Sequence, residues 1–371
     1  MNRLYETSIL SNTKIKYGVP DDTLLIHRDV NQFFPETYEI LEDGRVNFCL
    51  YYPKASKVEM KTIFGCDFKL NKEGEFFKGA YDIGKGLVGV SLFVDENETI
   101  SPYLPIGYSG NRALNYIDIP DGELVLSENI VRRGTLNIEY INSDVTNRQE
   151  RIAVYLPPTY LAEEEKRFPV LYLQHGHGEN ELVWYHQGKV NFIYDELIAK
   201  GKAVPSIVVM CNGMYYDENE KGIDLIISKF GQFLLKEVIP YIDSNYRTIA
   251  DKKQRAMAGL SMGSLQTSMI TMTHSDMFDY VGVFSGFVQD LLTGTTEHIK
   301  EENLKAFMQN NKLFFRAIGD KDIYLEHFKS DDELLTKYEI PFVRKIYQGR
   351  HEWNVWRHCL NDFAQMIFKG V

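Results

Sequence analysis

The chain has 371 residues, of which 41 are lysine or arginine and 52 are aspartate or glutamate, so its formal net charge is −11. Nucleic acids and anionic membrane surfaces bind basic protein faces, so this charge argues against both as partners. Apolar residues make up 44% of the chain and charged residues 25%, which is typical of a folded globular protein, and the length suits two domains.

The N-terminal residues, the apolar runs and the cysteines bear on the cellular location of the protein. The first residues, Met-Asn-Arg-Leu-Tyr-Glu-Thr, lack the apolar core of a secretory signal peptide. No apolar run approaches the roughly 20 residues that cross a bilayer. The cysteines are scattered without metal-binding spacing and are typical of free thiols in a reducing compartment: Cys49, Cys66, Cys211 and Cys359. We therefore expect a cytoplasmic protein.

Residues 1–120 are predicted to form an all-β domain. Between about 20 and 120, short β-rich runs alternate with turns and show no helical period. Residues 45–60 contain two such runs around a proline turn, and residues 87–95 form another. Turn signals recur every 8–12 residues or so, a spacing that favours a small β-sandwich.

The pattern changes after Pro120-Asp121-Gly122, so residues 121–371 are predicted to form a second domain. Two paired strands come first, at 134–140 and 150–157. Strands and helices then alternate, which predicts a mainly parallel sheet covered by helices, an α/β fold. The predicted strands are 168–173, 206–211, 254–258, 280–284, 312–318 and 342–347. The predicted helices are 190–200, 223–241, the segment after Ser261, 299–309, 331–338 and the C-terminus.

The motif Gly259-x-Ser261-x-Gly263 lies where a predicted strand meets a predicted helix. This is the pattern of a nucleophile elbow, in which a sharp strand-to-helix turn exposes a serine hydroxyl. Glycines flank the serine because strand and helix pass close together there. Such an elbow in such a sheet indicates the α/β-hydrolase arrangement, although a glycine-rich turn can carry the same letters.

An elbow serine needs an acid and then a histidine later in the chain. The strand 312–318 ends before Asp320 and Asp322, and the spacing alone does not decide between them. His351 follows the last predicted strand and is the candidate base. Two other histidines fit less well: His358 within the C-terminal helix and His327 too close to the acid. Asp331 and Asp332 are interpreted as the cap of the next helix.

Acyl transfer also needs backbone N–H groups that stabilise an oxyanion. The amide of Met262, directly after the serine, is one candidate. The apolar run that ends in His175-Gly176-His177-Gly178 supplies the second, the amide of His177. The two histidine side chains also suggest metal ligands, but no third ligand has matching spacing. We therefore expect a serine hydrolase that uses no metal and no organic cofactor.

From about residue 125 to 371 the chain resembles the esterase D-like "putative esterase" family, which includes family 1 carbohydrate esterases, trilactone esterases and S-formylglutathione hydrolase. The segments that carry the resemblance are RFPVLYLQHGHGENELVW (167–184), FLLKEVIPYIDSNYRT (233–248), RAMAGLSMGS (255–264), MFDYVGVFSG (277–286), FFRAIGDKD (314–322) and GRHEWNVWR (349–357). The resemblance implies Ser261 as nucleophile, Asp322 as acid and His351 as base. It also implies His177 and Met262 as oxyanion amides. Two positions depart from the family pattern: Ser264 replaces a glycine, and so does Arg350.

The N-terminal strands resemble the immunoglobulin-like module that precedes many carbohydrate-active enzymes, through FCLYYPKASKVEM and VSLFVDE. This likeness implies a glycan-binding or a merely supporting role. Aromatic residues predicted on loops near the serine are candidates for stacking on an acyl group or a sugar, and ordinary packing is the alternative for each. They are Trp184, Tyr185, Tyr215, Tyr216 and Trp353.

The resemblance implies a feruloyl (hydroxycinnamoyl) or acetyl esterase that acts on plant xylo-oligosaccharides. A trilactone siderophore esterase is the alternative within the same chemistry. A catalytically silent glycan-binding protein is the alternative from another class. The expected partner is a small or oligosaccharide ester, with no nucleic acid and no membrane, and a homodimer is one possible assembly.

Overall fold

The computed structural model describes residues 38–63, 65–101, 104–120, 122, 124, 132–215, 224–286 and 299–369. The chain divides into two compact units, Met1–Val125 and Leu126–Val371. Each unit has its own hydrophobic core.

The first unit is all-β in its described residues. Its strands are β1 Tyr38–Ile40, β2 Val46–Tyr51, β3 Val58–Thr62, β4 Asp67–Glu73, β5 Phe76–Tyr81, β6 Gly86–Val94, β7 Asn97–Thr99, β8 Ile106–Ser109 and β9 Arg112–Ile119. All neighbours pair antiparallel, in the order β1-β2-β5-β4-β3-β6-β9-β8, with β7 on β6. Strand β4 changes partner along its length, from β3 near Asp67 to β5 near Glu73.

Alternating side chains build the core of this unit. In β2, Val46, Phe48 and Leu50 are buried while the residues between them are only partly covered. This period of two is what a strand with one face on a core requires. The described structure therefore confirms the predicted N-terminal all-β region.

The second unit is a mixed sheet with helices. Its strands are β10 Thr135–Ser143, β11 Arg148–Leu156, β12 Val170–Gln174, β13 Ile207–Cys211, β14 Arg255–Leu260, β15 Tyr280–Phe284, β16 Leu313–Gly319 and β17 Val343–Tyr347. Its α-helices are α1 Val183–His186, α2 Val190–Ala199, α3 Asp224–Phe233, α4 Ile239–Asn245, α5 Met262–Thr273, α6 Glu301–Asn310, α7 Leu325–Lys337 and α8 Trp353–Met366. A π-helical turn, Leu234–Val238, joins α3 to α4. In the part of the chain described here, no helix is long and apolar enough to cross a membrane.

The strand order in this sheet is β10-β11-β13-β12-β14-β15-β16-β17. Strands β12 to β17 run parallel, and β10 and β11 are antiparallel. The central strands are buried along their whole length, as expected where helices cover both faces of a sheet. Because these strands are parallel, the loops after β12, β14, β15, β16 and β17 meet at one edge.

Helices lie on both faces of the central strands. On one face, Met257 of β14 packs with Phe230 of α3 and Ile270 of α5. On the other, Phe284 of β15 contacts Phe363 of α8, with the ring centroids 5.9 Å apart. This two-sided cover explains why the strands are near-continuous apolar runs.

One predicted helix start is wrong. The helix after β16 begins at Leu325, so Asp331 and Asp332 lie within it and are not its cap. Their carboxylates bind the guanidinium of Arg316 on β16, at 3.0 and 2.8 Å. Arg316 and Asp331 are fully buried. Asp331 and Asp332 neutralise the buried guanidinium of Arg316 on the neighbouring strand. A sequence pattern does not reveal this contact.

Candidate active site

Ser261 occupies a sharp turn between β14 and α5. Its backbone has φ 49° and ψ −118°, a region that residues with a side chain rarely adopt. Its N–H donates to the carbonyl of Phe284 at the end of β15, at 2.9 Å. The neighbouring strand therefore holds the turn in place.

Gly259 and Gly263 are needed because no space is left for a side chain at either position. A Cβ at Gly259 would lie 2.3 Å from the carbonyl oxygen of Gly263, and a Cβ at Gly263 would lie 2.4 Å from the carbonyl oxygen of His175. Any side chain at either position would push the helix or the loop after β12 away from the strand. The local sequence thus permits the close approach that the turn requires.

Ser261, His351 and Asp322 lie in contact at the carboxyl edge of the sheet. The Nε2 atom of His351 is 3.0 Å from the Oγ atom of Ser261. Its Nδ1 atom is 3.0 Å and 3.1 Å from the two carboxylate oxygens of Asp322. The Asp322 side chain is fully buried, whereas that of His351 is 21% exposed.

This geometry favours one tautomer of His351. A carboxylate accepts hydrogen bonds, so Nδ1 carries the proton and Nε2 is free to accept one from the serine hydroxyl. The backbone N–H of Tyr324 donates to Asp322 at 2.9 Å and fixes the carboxylate.

The other candidate acid and bases lie elsewhere. The carboxylate of Asp320 accepts from the N–H of Gly349 at 2.9 Å, so it braces the loop that carries His351. His327 lies in α7 and His358 in α8, where the latter stacks on Tyr347 at 5.6 Å. The described structure thus brings Asp322, and not Asp320, against the imidazole of His351.

The candidate oxyanion amides lie at the same edge. Met262 is the first residue of α5, where a helix has no internal partner for its N–H groups. His177 lies in the glycine loop, residues 175–178, directly after β12, and its side chain is exposed. A Cβ at Gly176 would lie 3.4 Å from the Cβ of Ser261, so this loop runs close against the serine turn.

His175 is a structural residue. Its Nε2 atom accepts from the N–H of Gly213 at 3.0 Å, so its Nδ1–H donates to the carbonyl of Gly176 at 2.7 Å. Burial lowers the pKa of His175 to about 4, which keeps the ring neutral. Both ring nitrogens are used, so the side chain connects the glycine loop to the loop after β13. Among the described residues no cluster of three or more His, Cys, Asp or Glu could hold a metal ion.

Ser264, one of the two departures, is accommodated by Gly286. The buried Ser264 hydroxyl donates to the carbonyl of Ser261 at 2.5 Å. A Cβ at Gly286 would lie 1.4 Å from that hydroxyl oxygen. The Ser264 hydroxyl fills the space that a side chain at position 286 would need. The two sequence segments that contain Ser264 and Gly286 did not indicate this contact. Arg350, the other departure, has an exposed side chain, and its N–H donates to Glu352 at 2.7 Å.

Of the aromatic candidates for substrate contact, Trp184, Tyr215 and Trp353 are buried, with exposures of 1%, 5% and 5%, as the packing alternative expects. Tyr215 packs between Phe230 and Phe233 in the core. Trp184 and Trp353 pack edge to face on each other, 5.1 Å apart. The remaining loop candidates are Tyr185, which is partly exposed, and Tyr216, which lies outside the described residues.

Two residues near the site were missed by sequence reasoning. The carboxyl of Glu179 accepts from the N–H of Gly176 at 2.9 Å, and the Trp353 indole N–H also donates to it. Burial raises the pKa of Glu179 to about 8, although both N–H donors act in the opposite direction. The ring of Trp356 meets that of His351 edge to face at 5.0 Å. No spacing rule identifies either residue, because only the folded structure shows their contacts with Gly176 and His351.

Comparisons with known proteins agree on one family. Residues 143–366, more than half of the chain, match the family described as "Putative esterase". The endo-1,4-beta-xylanase/feruloyl esterase of Xylanibacter ruminicola is 38% identical over 260 residues, which cover 68% of this chain and 34% of that protein. This chain therefore spans about a third of the length of that relative.

Solved structures show the same fold. A ferulic acid esterase matches with a TM-score of 0.53 at 27% identity and covers 63% of this chain and 99% of its own. The enterobactin esterase of Shigella flexneri matches with a TM-score of 0.61 at 14% identity, over 88% of this chain and 94% of its own. By the match over residues 143–366, this chain belongs to the "Putative esterase" family, a family of carboxylic ester hydrolases.

Proposed function

We propose that this chain is a serine carboxylic ester hydrolase with the α/β-hydrolase arrangement, in which Ser261 is the nucleophile, His351 the base and Asp322 the acid. The observation that carries the proposal is the hydrogen-bonded series itself, with 3.0 Å from Ser261 to His351 and 3.0 Å from His351 to Asp322. Such a series activates a serine hydroxyl in enzymes of unrelated folds.

The proposed reaction has two steps. His351 takes the hydroxyl proton as Ser261 attacks the ester carbonyl, and the amides of His177 and Met262 stabilise the oxyanion. His351 then gives its proton to the leaving alcohol, and an acyl-enzyme remains. Water, deprotonated by His351, hydrolyses the acyl-enzyme and regenerates Ser261.

The proposed substrates are feruloyl (hydroxycinnamoyl) or acetyl esters of xylo-oligosaccharides. The proposal is supported by the 38% identity to a protein described as a xylanase/feruloyl esterase. A net charge of −11 is compatible with a neutral sugar. We propose that residues 1–120 form one all-β domain, which would bind glycan or support the catalytic unit. A cytoplasmic location and a homodimer stay predictions, tested by cell fractionation and by light scattering.

A trilactone siderophore esterase is the second candidate. The fold likeness to the enterobactin esterase extends over 88% of this chain, further than the ferulic acid esterase match. An anionic ferric catecholate calls for basic residues around the site, and the acidic balance of the chain weighs against it. A silent glycan-binding protein is disfavoured, because such a protein has no physical need for a complete serine, histidine and aspartate set.

The test compares methyl ferulate with acetylated xylo-oligosaccharide, using wild type and Ser261→Ala. We expect at least one to be hydrolysed and Ser261→Ala to lose roughly 10⁴-fold or more of kcat, since only binding and the oxyanion amides remain. If wild type cuts neither but still hydrolyses an aryl acetate, the carbohydrate assignment falls and the trilactone is tested next. Unchanged turnover in Ser261→Ala would overturn the serine mechanism.

A further inference from the structure

All three tryptophans of the chain lie in one series that ends at His351. Trp184 meets Trp353 at 5.1 Å, and Trp353 meets Trp356 at 5.3 Å. Trp356 meets the imidazole of His351 at 5.0 Å. Each contact is within 5° of perpendicular, the edge-to-face arrangement that aromatic rings favour.

The first tryptophan is bound to the end of β12. The indole N–H of Trp184 donates to the carbonyl of Gln174 at 3.0 Å. Gln174 is the last residue of β12, so this bond fixes the point from which the glycine loop departs. The ring of Trp184 is 1% exposed, so little motion is open to it.

The central tryptophan reaches the glycine loop through Glu179. The indole N–H of Trp353 donates to the Glu179 carboxyl, which also accepts from the N–H of Gly176 at 2.9 Å. Gly176 directly precedes His177, the candidate oxyanion amide. Trp353 itself is the first residue of α8, two positions after His351.

The glycine loop and the start of α8, which are distant in sequence, are therefore connected to each other. The glycine loop carries the amide of His177, and the imidazole of His351 lies two residues before α8. We propose that Trp353 and Glu179 are positioning residues that hold the oxyanion amide of the glycine loop in register with His351. This inference rests on the proposed esterase mechanism and adds to it the residues that set its geometry.

The rate of acyl transfer depends on the distance between the oxyanion and its N–H donors. An oxyanion donor stabilises the tetrahedral state only within about 0.3 Å of its proper reach, and a shift of about 1 Å costs on the order of 10²-fold in rate. The His175 side chain and the Gly178 N–H bind the glycine loop to the segment after β13, and neither contact reaches the element that carries the base. A buried hydrogen-bonded bridge to the element that carries the base supplies the missing constraint.

The test uses variants that change one residue of the bridge at a time. Trp353→Phe keeps a ring and loses the N–H donor, Glu179→Leu loses the acceptor, and Glu179→Gln keeps a carbonyl oxygen that can accept. Tyr280→Phe is the matched control, since it removes a polar atom from another buried ring of the same unit, on β15. Turnover of 4-nitrophenyl acetate, thermal unfolding, and inhibition by a boronic acid that mimics the tetrahedral adduct are measured for each.

For Trp353→Phe and Glu179→Leu we expect kcat to fall roughly tenfold or more, with KM within about twofold, because the bridge acts in the transition state. The boronic acid should bind more weakly by a similar factor. Glu179→Gln should recover most of the kcat lost in Glu179→Leu, and Tyr280→Phe should match wild type.

Two results would overturn the inference. One is a kcat within twofold of wild type in both bridge variants while Ser261→Ala is inactive; the proposed serine mechanism would then stand alone. The other is a bridge variant that loses thermal stability with unchanged kcat, which would make the bridge merely structural. If Trp353→Phe fails to fold, the comparison of Glu179→Leu with Glu179→Gln still decides. Activity in Ser261→Ala would instead remove the proposed function itself.

Discussion

At the scale of single residues, Glu179 is a buried carboxyl in a place that disfavours its charge. Its pKa is raised by burial from 4.5 to about 8. Below pH 4.5 the group is protonated in both the folded and the unfolded chain, so its folded-state advantage is fully present. Between 4.5 and 8 the unfolded chain releases the proton first, and stability falls as the pH rises.

The expected consequence is a pH-dependent effect of Glu179→Gln. The loss in wild type approaches about 1.4 kcal/mol for each pH unit between the two pKa values, and the glutamine variant lacks it. The unfolding temperature of Glu179→Gln should therefore exceed that of wild type at pH 9 and be close to it at pH 5. Calorimetric scans at both pH values measure this, and an equal difference at both would contradict it.

Ser264 and Gly286 give a second residue-scale prediction. A Cβ at Gly286 would lie 1.4 Å from the Ser264 hydroxyl oxygen and 2.5 Å from the Ser264 Cβ. Gly286→Ala should therefore lower the free energy of unfolding by about 1–3 kcal/mol. It should also lower kcat, because the Ser264 hydroxyl that the methyl group displaces is hydrogen-bonded to the backbone carbonyl of Ser261.

The matching double variant tests the cause. Ser264→Gly removes both atoms that the new methyl group meets, so Ser264→Gly/Gly286→Ala should recover most of the stability and activity that Gly286→Ala loses. Urea unfolding and kinetics of the two single variants and the double variant measure the coupling. If the effects of the two single variants on the free energy of unfolding simply add in the double variant, the proposed clash between Ser264 and residue 286 is wrong.

At the scale of elements, α7 is attached to β16 by a buried ion pair. Arg316 and Asp331 are both fully buried, and the guanidinium also lies 4.2 Å from the ring centroid of Phe328. Burial lowers the pKa of Arg316 to about 10, so the guanidinium stays charged at neutral pH. Removal of one partner leaves an uncompensated buried charge, which is more costly than the pair itself is stabilising.

Asp331→Ala should reduce the free energy of unfolding by about 3–5 kcal/mol. Glu326→Ala is the matched control, because Glu326 pairs with Lys329 on the same helix but is 83% exposed, and exposed pairs contribute at most about 1 kcal/mol. Urea denaturation of both variants measures the difference. A similar loss in the two variants would show that burial of the pair is irrelevant.

At the scale of the whole molecule, the two units have separate cores. The core of the first is built from residues between Tyr38 and Ile119, and the cores of the second begin at Ile141. The residues of the candidate site all belong to the second unit.

A chain that starts at Leu126 should therefore fold and hydrolyse a small aryl ester with kcat within about threefold of the full chain, since each compact domain can fold on its own core. The same chain with Ser261→Ala is the control for background hydrolysis. Loss of folding in the truncated chain would show that the second unit depends on the first. A selective loss with xylo-oligosaccharide esters would favour a glycan-binding role for the first unit.

The sequence by itself determined much of the second unit. Strands β12 to β17 were predicted within two residues. The central strands among them are readable because a parallel strand covered on both faces is a near-continuous apolar run. The positions after β14, β16 and β17 followed, since parallel strands end at one edge. The elbow glycines were readable because their role depends only on neighbours in the chain.

The tertiary structure decided what depends on contacts between distant segments. It separated Asp322 from Asp320, which spacing left open, because only one carboxylate lies within 3.1 Å of His351. It placed Tyr215, Trp184 and Trp353 inside the fold, since a loop position does not reveal which way a ring is buried. It also brought Glu179 to Trp353, and Ser264 to Gly286, residues whose partners are chosen by packing and not by sequence distance.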